Sequence, residues 1–170
     1  MYVSATNASS AANSLTNAGA IQTDGTGATG MRLVSGSTSS SVVNSIVNSG
    51  TIITNGSAAH GIQVSGVGAV TIENTGTITA NGANAFGIYS AGNITALTNS
   101  QGGSSPLTFS GVLPTNYNAT IASPTVYGKL DASNGAVTGV MNFSIASAST
   151  VSAATYSTVL SGIKVNNLGN

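Results

Sequence analysis

Charged side chains are almost absent from this chain of 170 residues, and their absence excludes several functions. Only 4% of the residues are charged, and three Lys or Arg residues balance three Asp or Glu residues, so the formal net charge is zero. An ordinary soluble domain has about 25% charged residues. Nucleic-acid binding needs several Lys or Arg side chains on one face, so the sequence predicts no nucleic-acid partner. The same shortage predicts no attraction to anionic lipid surfaces.

Cysteine and long apolar runs are also missing. Without cysteine the fold has no disulfide, and the redox compartment is not indicated. No run approaches the ~20 apolar residues that a bilayer crossing needs, so we predict no membrane insertion by this chain. The first ten residues, MYVSATNASS, lack the basic and apolar regions of a signal peptide. We therefore expect either a processed piece of an exported protein or an intracellular protein, and the composition favours the exported one.

The chain is rich in apolar residues and in small polar ones. Apolar residues make up 41% of the sequence and the mean hydropathy is +0.28, while Ser, Thr, Asn and Gly supply the polarity. Disordered chains are poor in apolar residues and usually highly charged, so this composition predicts a folded chain. A neutral surface gives little repulsion between molecules, which favours association.

A repeat covers more than half of the chain. Three segments align, LTNAGAIQTDGTGATGMRL, IVNSGTIITNGSAAHGIQV and IENTGTITANGANAFGIYS, and a fourth begins as LTNSQGG at Leu97 and then breaks off. The first three begin at Leu15, Ile46 and Ile72, so their spacings are 31 and 26 residues. The five extra residues fall in SGSTSSSVV, where a loop insertion is tolerated. Recurrence at such a period is typical of solenoid architectures.

Each copy divides into three short strands separated by turns rich in Asn and Gly, which accept positive φ. Apolar residues alternate within the strands, as they do in half-buried strands. The residues predicted to point inward are Ile21, Ile52 and Ile78 in the first strand, Met31, Ile62 and Ile88 in the second, and Leu15, Ile46, Ile72 and Leu97 in the third.

Two all-β folds fit these strands. The first is a parallel β-helix, or β-solenoid, with three strands per coil of about 26 residues, in which equivalent residues lie on one another at ~4.8 Å spacing. The second is a series of hairpins, because Asn55-Gly56 and Asn81-Gly82 are hairpin signals. Hairpins give no reason for equivalent residues to recur at a constant spacing, so the β-helix is favoured.

Few residues qualify as a chemical site. Asn17, Asn48, Asn74 and Asn99 recur at one position, where they form either a ligand-facing row or, as we favour, a structural ladder of amides. His60 has no second His or carboxylate at ligand spacing, so we predict no metal and no cofactor. Asp24 and Glu73 occupy non-equivalent positions in different copies, which argues against paired carboxylates and against an enzyme. Three aromatic residues are possible contacts for sugar rings or for a protein surface: Tyr89, Tyr117 and Tyr127.

The last third of the chain differs in composition. We place the β-helix repeats in residues 1–103 and an irregular β segment in residues 104–170, which contains all three prolines. Its strand candidates, LTFSGV, NATIAS, TVYGKLD, AVTGVMNFSI and TYSTVLSGI, share no obvious period. They predict either further coils or a small antiparallel cap over the end of the β-helix.

The repeated pattern NxGTIxTxGxxxxGIxV resembles the passenger repeats of autotransporters and related adhesins of Gram-negative bacteria, over about residues 13–103. The later stretches LPTNYNATIASPTVYGKL and TYSTVLSGI are similar to the C-terminal end of such passengers. The resemblance implies a right-handed β-helix, an extracellular or cell-surface location, and a role in adhesion, aggregation or surface structure.

These observations predict a non-enzymatic structural protein that associates with itself into a surface fibre or layer. The alternative is an adhesin stalk that presents loops such as SGSTSSS to a host surface or glycan. The two differ in the ends of the β-helix, since an open edge permits polymerisation and a closed end does not.

Overall fold

The structure, a computed structural model, describes residues 4–7, 12–36 and 42–169, and of Ser4–Asn7 only the backbone. The described residues are all-β and contain no α-helix, only a short 3-10 helix at Val165–Asn167. The strands are β1 (Ser4–Asn7), β2 (Ser14–Asn17), β3 (Ala20–Thr23), β4 (Met31–Ser35), β5 (Val43–Asn48), β6 (Thr51–Thr54), β7 (Ile62–Asn74), β8 (Thr77–Ala80), β9 (Ile88–Asn99), β10 (Leu107–Val112), β11 (Asn116–Ala119), β12 (Leu130–Asp131), β13 (Val137–Thr138), β14 (Asn142–Ile145) and β15 (Leu160–Ser161).

Strands of successive copies pair side by side and form three ladders. Ladder A is β2-β5-β7-β9-β11-β14, ladder B is β1-β4-β7-β9-β10 with β12, β13 and β15 beyond it, and ladder C is β3-β6-β8. Ladders A and B share the long strands β7 and β9 and so belong to one large sheet. No helix in the described residues is both long and apolar enough to cross a membrane.

Every pairing between the described strands is parallel. Antiparallel pairing is confined to two isolated bridges, Gly102 with Gly128 and Ile121 with Tyr127. The hairpin alternative is therefore wrong. The turn residues explain why, since Asn81 bonds to Asn55 across a spacing of 26 residues. The Asn-Gly turns thus lie beside one another in successive copies instead of joining antiparallel neighbours.

The register places equivalent residues of the copies directly beside one another. Leu15 pairs with Ile46, Ile46 with Ile72, and Ile72 with Leu97 in ladder A. All ten residues predicted to point inward are buried, and they share one hydrophobic cluster. That cluster continues into the last third of the chain through Leu107, Phe109 and Leu130.

Parallel pairing also continues beyond the repeat. β10 and β11 pair with β9, and β14 pairs with β11. A spacing of 26 residues returns here, since Asn142 bonds to Asn116 and Ser144 to Asn118. Of the two structures predicted for this third, the pairing therefore follows the further parallel strands and not the antiparallel cap. The expectation that these strands share no period holds only in part, because β10 and β13 are also paired at a spacing of 26 residues, whereas β10 and β12 are paired at 23 and β12 and β15 at 30.

The insertion between the first two copies lies partly outside the described residues. The predicted loop SGSTSSS begins at Ser35, the last residue of β4, and residues 37–41 of it are not described. β5 begins again at Val43, in register with β7.

Glycine recurs where the copies approach most closely. A Cβ added at Gly50 or Gly76 would lie closer than 3.0 Å to a backbone oxygen of the preceding copy, Gly19 O or Gly50 O. Gly56 and Gly82 meet Gly25 and Gly56 in the same way. Any side chain at these positions would push the copies apart.

We expect Gly76→Ala to destabilise the chain by about 1–3 kcal/mol, the usual cost of overpacking. The matched control is Gly19→Ala, at the same position of the first copy, where an added Cβ meets no described atom within 4 Å. Thermal unfolding should show a lower Tm for Gly76→Ala and little change for Gly19→Ala. Equal Tm values for both variants would contradict the close approach of the copies.

Candidate functional site

The four repeated asparagines form a continuous amide ladder inside ladder A. Asn17 Nδ2 donates to Asn48 Oδ1 at 2.8 Å, Asn48 Nδ2 to Asn74 Oδ1 at 2.8 Å, and Asn74 Nδ2 to Asn99 Oδ1 at 3.0 Å. All four side chains are buried. A primary amide has both a donor and an acceptor, so each one satisfies the next. No ligand can reach this row without opening the fold.

The amide ladder ends at Gln101, where the repeat breaks off. Gln101 Oε1 accepts hydrogen bonds from Ile78 N at 2.8 Å and from Asn74 Nδ2 at 3.2 Å, and Gln101 Nε2 donates to Ile78 O at 2.9 Å. The Gln101 side chain therefore forms hydrogen bonds with both the backbone N–H and the backbone C=O of Ile78, on the outer edge of β8. Ladder C ends at this point, because the amide takes the place that a fourth strand would take.

Tyr117 lies at the same end of the amide ladder. Tyr117 of β11 pairs in register with Leu97 of β9, and its hydroxyl oxygen accepts a hydrogen bond from Asn99 Nδ2 at 3.2 Å. Burial raises the pKa of Tyr117, so the hydroxyl stays protonated at any physiological pH.

Two of the three predicted contact tyrosines are buried, so that prediction is wrong for them. Tyr117 is 0% exposed and Tyr127 only 5%. Tyr117 occupies an inward position of β11 in the hydrophobic cluster, whereas Tyr127 lies outside the strands and bridges to Ile121. Tyr127 Oη also donates to Ser157 O at 2.9 Å. The Tyr117 ring is enclosed in the core, whereas the Tyr127 ring has Lys129 Nζ 4.9 Å from its centroid and lines an apolar hollow near the C-terminal end of the ladders.

Tyr89 is half-buried and stacks on His60, with ring centroids 4.6 Å apart. His60 is 9% exposed, and its Nδ1 accepts a hydrogen bond from Phe86 N at 3.2 Å, so its proton lies on Nε2. Burial lowers the pKa of His60. The described residues contain no group of three His, Asp or Glu side chains that could hold a metal ion.

A second row of polar side chains lies on the surface. Asn81 Nδ2 donates to Asn55 Oδ1 at 2.8 Å, and Asn55 Nδ2 donates to Asp24 Oδ1 at 2.7 Å. Asp24 is thus the acceptor at the end of an exposed amide row. Glu73 lies on the outer face of ladder A, so the two carboxylates belong to different faces.

The outer face of ladder A carries a groove of about 470 Å³. Its floor consists of two adjacent columns of polar side chains, one formed by Glu73, Thr98 and Asn118, the other by Thr75, Ser100 and Thr120. Residues 145–148, which follow β14, form one wall. Sequence reasoning missed this groove, because no pattern links the wall to the floor.

The apolar core comes to the surface near the C-terminal end of the ladders. A hollow of about 200 Å³ there is lined almost wholly by apolar side chains, among them Ile121, Phe143, Ile145 and Val159. Six of the eight exposed large apolar side chains in the described residues lie at Val112 or beyond. At the other end of ladder A, Leu15 is buried.

The comparisons with known proteins add no family to these observations. No protein-family model matches the chain, and neither the curated proteins nor the solved structures include a significant match.

Replacement of Asn74 by Asp should break the amide ladder with no change in side-chain size. The carboxylate keeps the acceptor for Asn48 but loses the donor to Asn99 and Gln101, and an unpaired buried charge costs about 3–5 kcal/mol. Asn81→Asp, at the exposed end of the surface row, is the control. Thermal unfolding at pH 7 should show a large loss for Asn74→Asp alone.

The loss of stability in Asn74→Asp should become smaller as the pH is lowered toward 4. A buried carboxyl has a raised pKa, and once protonated it can donate a hydrogen bond again. A loss independent of pH, or equal losses for Asn74→Asp and Asn81→Asp, would show that the buried row does not carry the stability assigned to it.

His60 should make stability depend on pH as the pH falls through 6.5, the ordinary pKa of the imidazole. Because burial lowers its pKa below the unfolded value, the unfolded chain takes up the proton first, and stability falls as the pH drops below 6.5. One proton limits the slope to about 1.4 kcal/mol per pH unit. The variant His60→Phe keeps a stacked ring but cannot titrate, so its unfolding should be flat as the pH falls through 6.5. A pH slope retained in His60→Phe would assign the effect to another group.

Proposed function

We propose that the chain is a non-enzymatic structural protein, a right-handed parallel β-helix that associates with copies of itself into an extracellular fibre or layer. The parallel, in-register ladders A, B and C support the β-helix, because three such ladders around one apolar cluster are its three faces. The right hand is supported by the strong preference of parallel strand connections for that hand. The extracellular location rests on the resemblance to adhesin repeats and on the charge-poor composition.

The observation that supports self-association is the exposure of Ile145 at the end of β14. In ladder A, Ile145 pairs with Ala119, and Ala119 pairs with Asn99, so Ile145 continues the inward column of the amide ladder. Ile145 is nevertheless 46% exposed. An inward position becomes exposed when no further strand covers it. Among the described strands β14 pairs only with β11, so no described strand covers Ile145.

The same end offers further apolar surface beside Ile145. Phe143 is half-buried and lines the apolar hollow with Val159. Leu168 pairs with Met141 just before β14, whereas Ile145 at the other end of the strand is 46% exposed. Backbone pairing together with burial of these side chains favours addition of a strand from another molecule.

A second copy is the proposed occupant of this edge. The formal net charge of zero gives two copies no long-range repulsion. At the other end of ladder A the described pairing of β2 is with β5, and β2 is the strand that the proposal places against β14 of the next copy. Contact between unlike ends does not close on itself, and it therefore gives a fibre instead of a dimer.

Electron microscopy and sedimentation velocity of the purified chain, over a series of concentrations, test this function. We expect the fraction of fibres to rise with concentration. Ile145→Lys should abolish the fibres without a change in Tm, because Ile145 is already half exposed in the single chain but would become buried in the contact. The matched control is Val67→Lys, which places the same charge at a side chain 63% exposed on β7.

Isolated short rods of the wild-type chain at every concentration would reject the structural function. Fibres of Ile145→Lys equal to those of the wild type would instead keep the function and reject the edge of β14 as the contact.

A further inference from the structure

We propose that the groove on the outer face of ladder A binds a short neutral oligosaccharide. The groove volume of about 470 Å³ lies within the range of small-ligand sites. The proposal goes beyond self-association, and the two share Ile145, which lines the groove and lies at the proposed contact between copies.

The floor of the groove matches the hydrogen-bonding chemistry of sugars. Hydroxyl and amide side chains can each donate and accept, as sugar hydroxyls do. The carboxylate of Glu73, which is exposed, adds an acceptor at one end. No Lys, Arg or His lines the groove, so an anionic ligand would meet a carboxylate without a counter-charge.

The strands hold these polar groups in a fixed grid. Glu73 pairs with Thr98, and Thr98 with Asn118, on three neighbouring strands. Neighbouring strands are ~4.8 Å apart and alternate residues along a strand are ~6.8 Å apart. Asn118 Nδ2 donates to Thr98 Oγ1 at 3.3 Å, which orients both groups. A floor ordered before binding loses little conformational entropy when the ligand binds.

The wall supplies the apolar half of the site. Ile145, Ala146 and Ala148 line the groove beside the polar floor. Backbone hydrogen bonds fix this wall, since Ala146 N donates to Ala119 O at 2.9 Å and Ser149 N donates to Ala146 O at 3.0 Å. A sugar ring has polar edges and apolar C–H faces, so a ring standing on the floor would place one C–H face against the wall.

The site differs in chemistry from the apolar hollow at the C-terminal end. The hollow has almost no polar lining and suits apolar side chains, whereas the groove has six polar side chains on its floor. No aromatic ring lines the groove, so the strong stacking contact of many sugar sites is lacking here. We therefore expect weak binding at one groove and stronger binding where several copies present grooves together.

Isothermal titration calorimetry with maltotetraose, cellotetraose and chitotetraose tests the proposal, with sialyllactose as the anionic comparison. At least one neutral oligosaccharide should bind saturably, and sialyllactose should bind at least 10-fold more weakly. The variant Ser100→Tyr fills the groove from its floor and should weaken binding at least 10-fold. Its matched control is Ala18→Tyr, which puts the same ring at the equivalent exposed position after β2, away from the groove.

Glu73→Gln provides a second variant if Ser100→Tyr alters the fold. It keeps the side-chain size at an exposed position and should weaken binding several-fold. Absence of saturable binding by all three neutral oligosaccharides would overturn the proposal. So would binding that is the same in the wild type and in both groove variants. Fibre formation, followed in the same samples by electron microscopy, reports separately on self-association.

Discussion

Hydrogen bonding between equivalent residues of successive copies is the constraint on which the rest of this structure depends. In an in-register parallel ladder each side chain lies beside its own equivalent, so every repeated position must tolerate contact with itself. Isoleucine packs on isoleucine, and asparagine bonds to asparagine at 2.8 Å. Like charges placed side by side would repel. The three charged residues of the repeat therefore each occur in one copy only: Asp24, Arg32 and Glu73.

Ladders C and A end in different ways at their last strands. In ladder C a single side chain, Gln101, bonds to both backbone groups of Ile78 and ends the sheet. In ladder A the amide column gives way to Ala119 and then to Ile145, which cannot bond to the next strand. The first end is closed by hydrogen bonds, and the second leaves the apolar side chain of Ile145 exposed. This difference assigns the proposed contact between copies to β14.

The candidate groove shows how a smooth ladder surface acquires a concave site. A regular repeat gives flat faces, because equivalent side chains have similar sizes. The groove appears where residues 145–148 turn over a floor formed by three earlier strands. Its polar floor is repeat surface, whereas its wall belongs to the irregular third of the chain. A site of this kind requires both parts of the molecule.

The sequence pattern was enough to predict the all-β class, the strands of the repeat and the ten inward residues. Both the alternation within each strand and the recurrence of the copies can be read directly along the chain. The pattern misled for Tyr117 and Tyr127, since an aromatic residue in a polar stretch does not reveal which side of its segment faces the core. The break in the repeat at LTNSQGG was the one visible sign that Gln101 is special. Its hydrogen bonds to Ile78 could not be predicted, because they depend on the turn that follows. The exposure of Ile145 at the end of β14 and the groove were decided only by tertiary structure, because both depend on which strands end beside one another and not on any residue pattern along the chain.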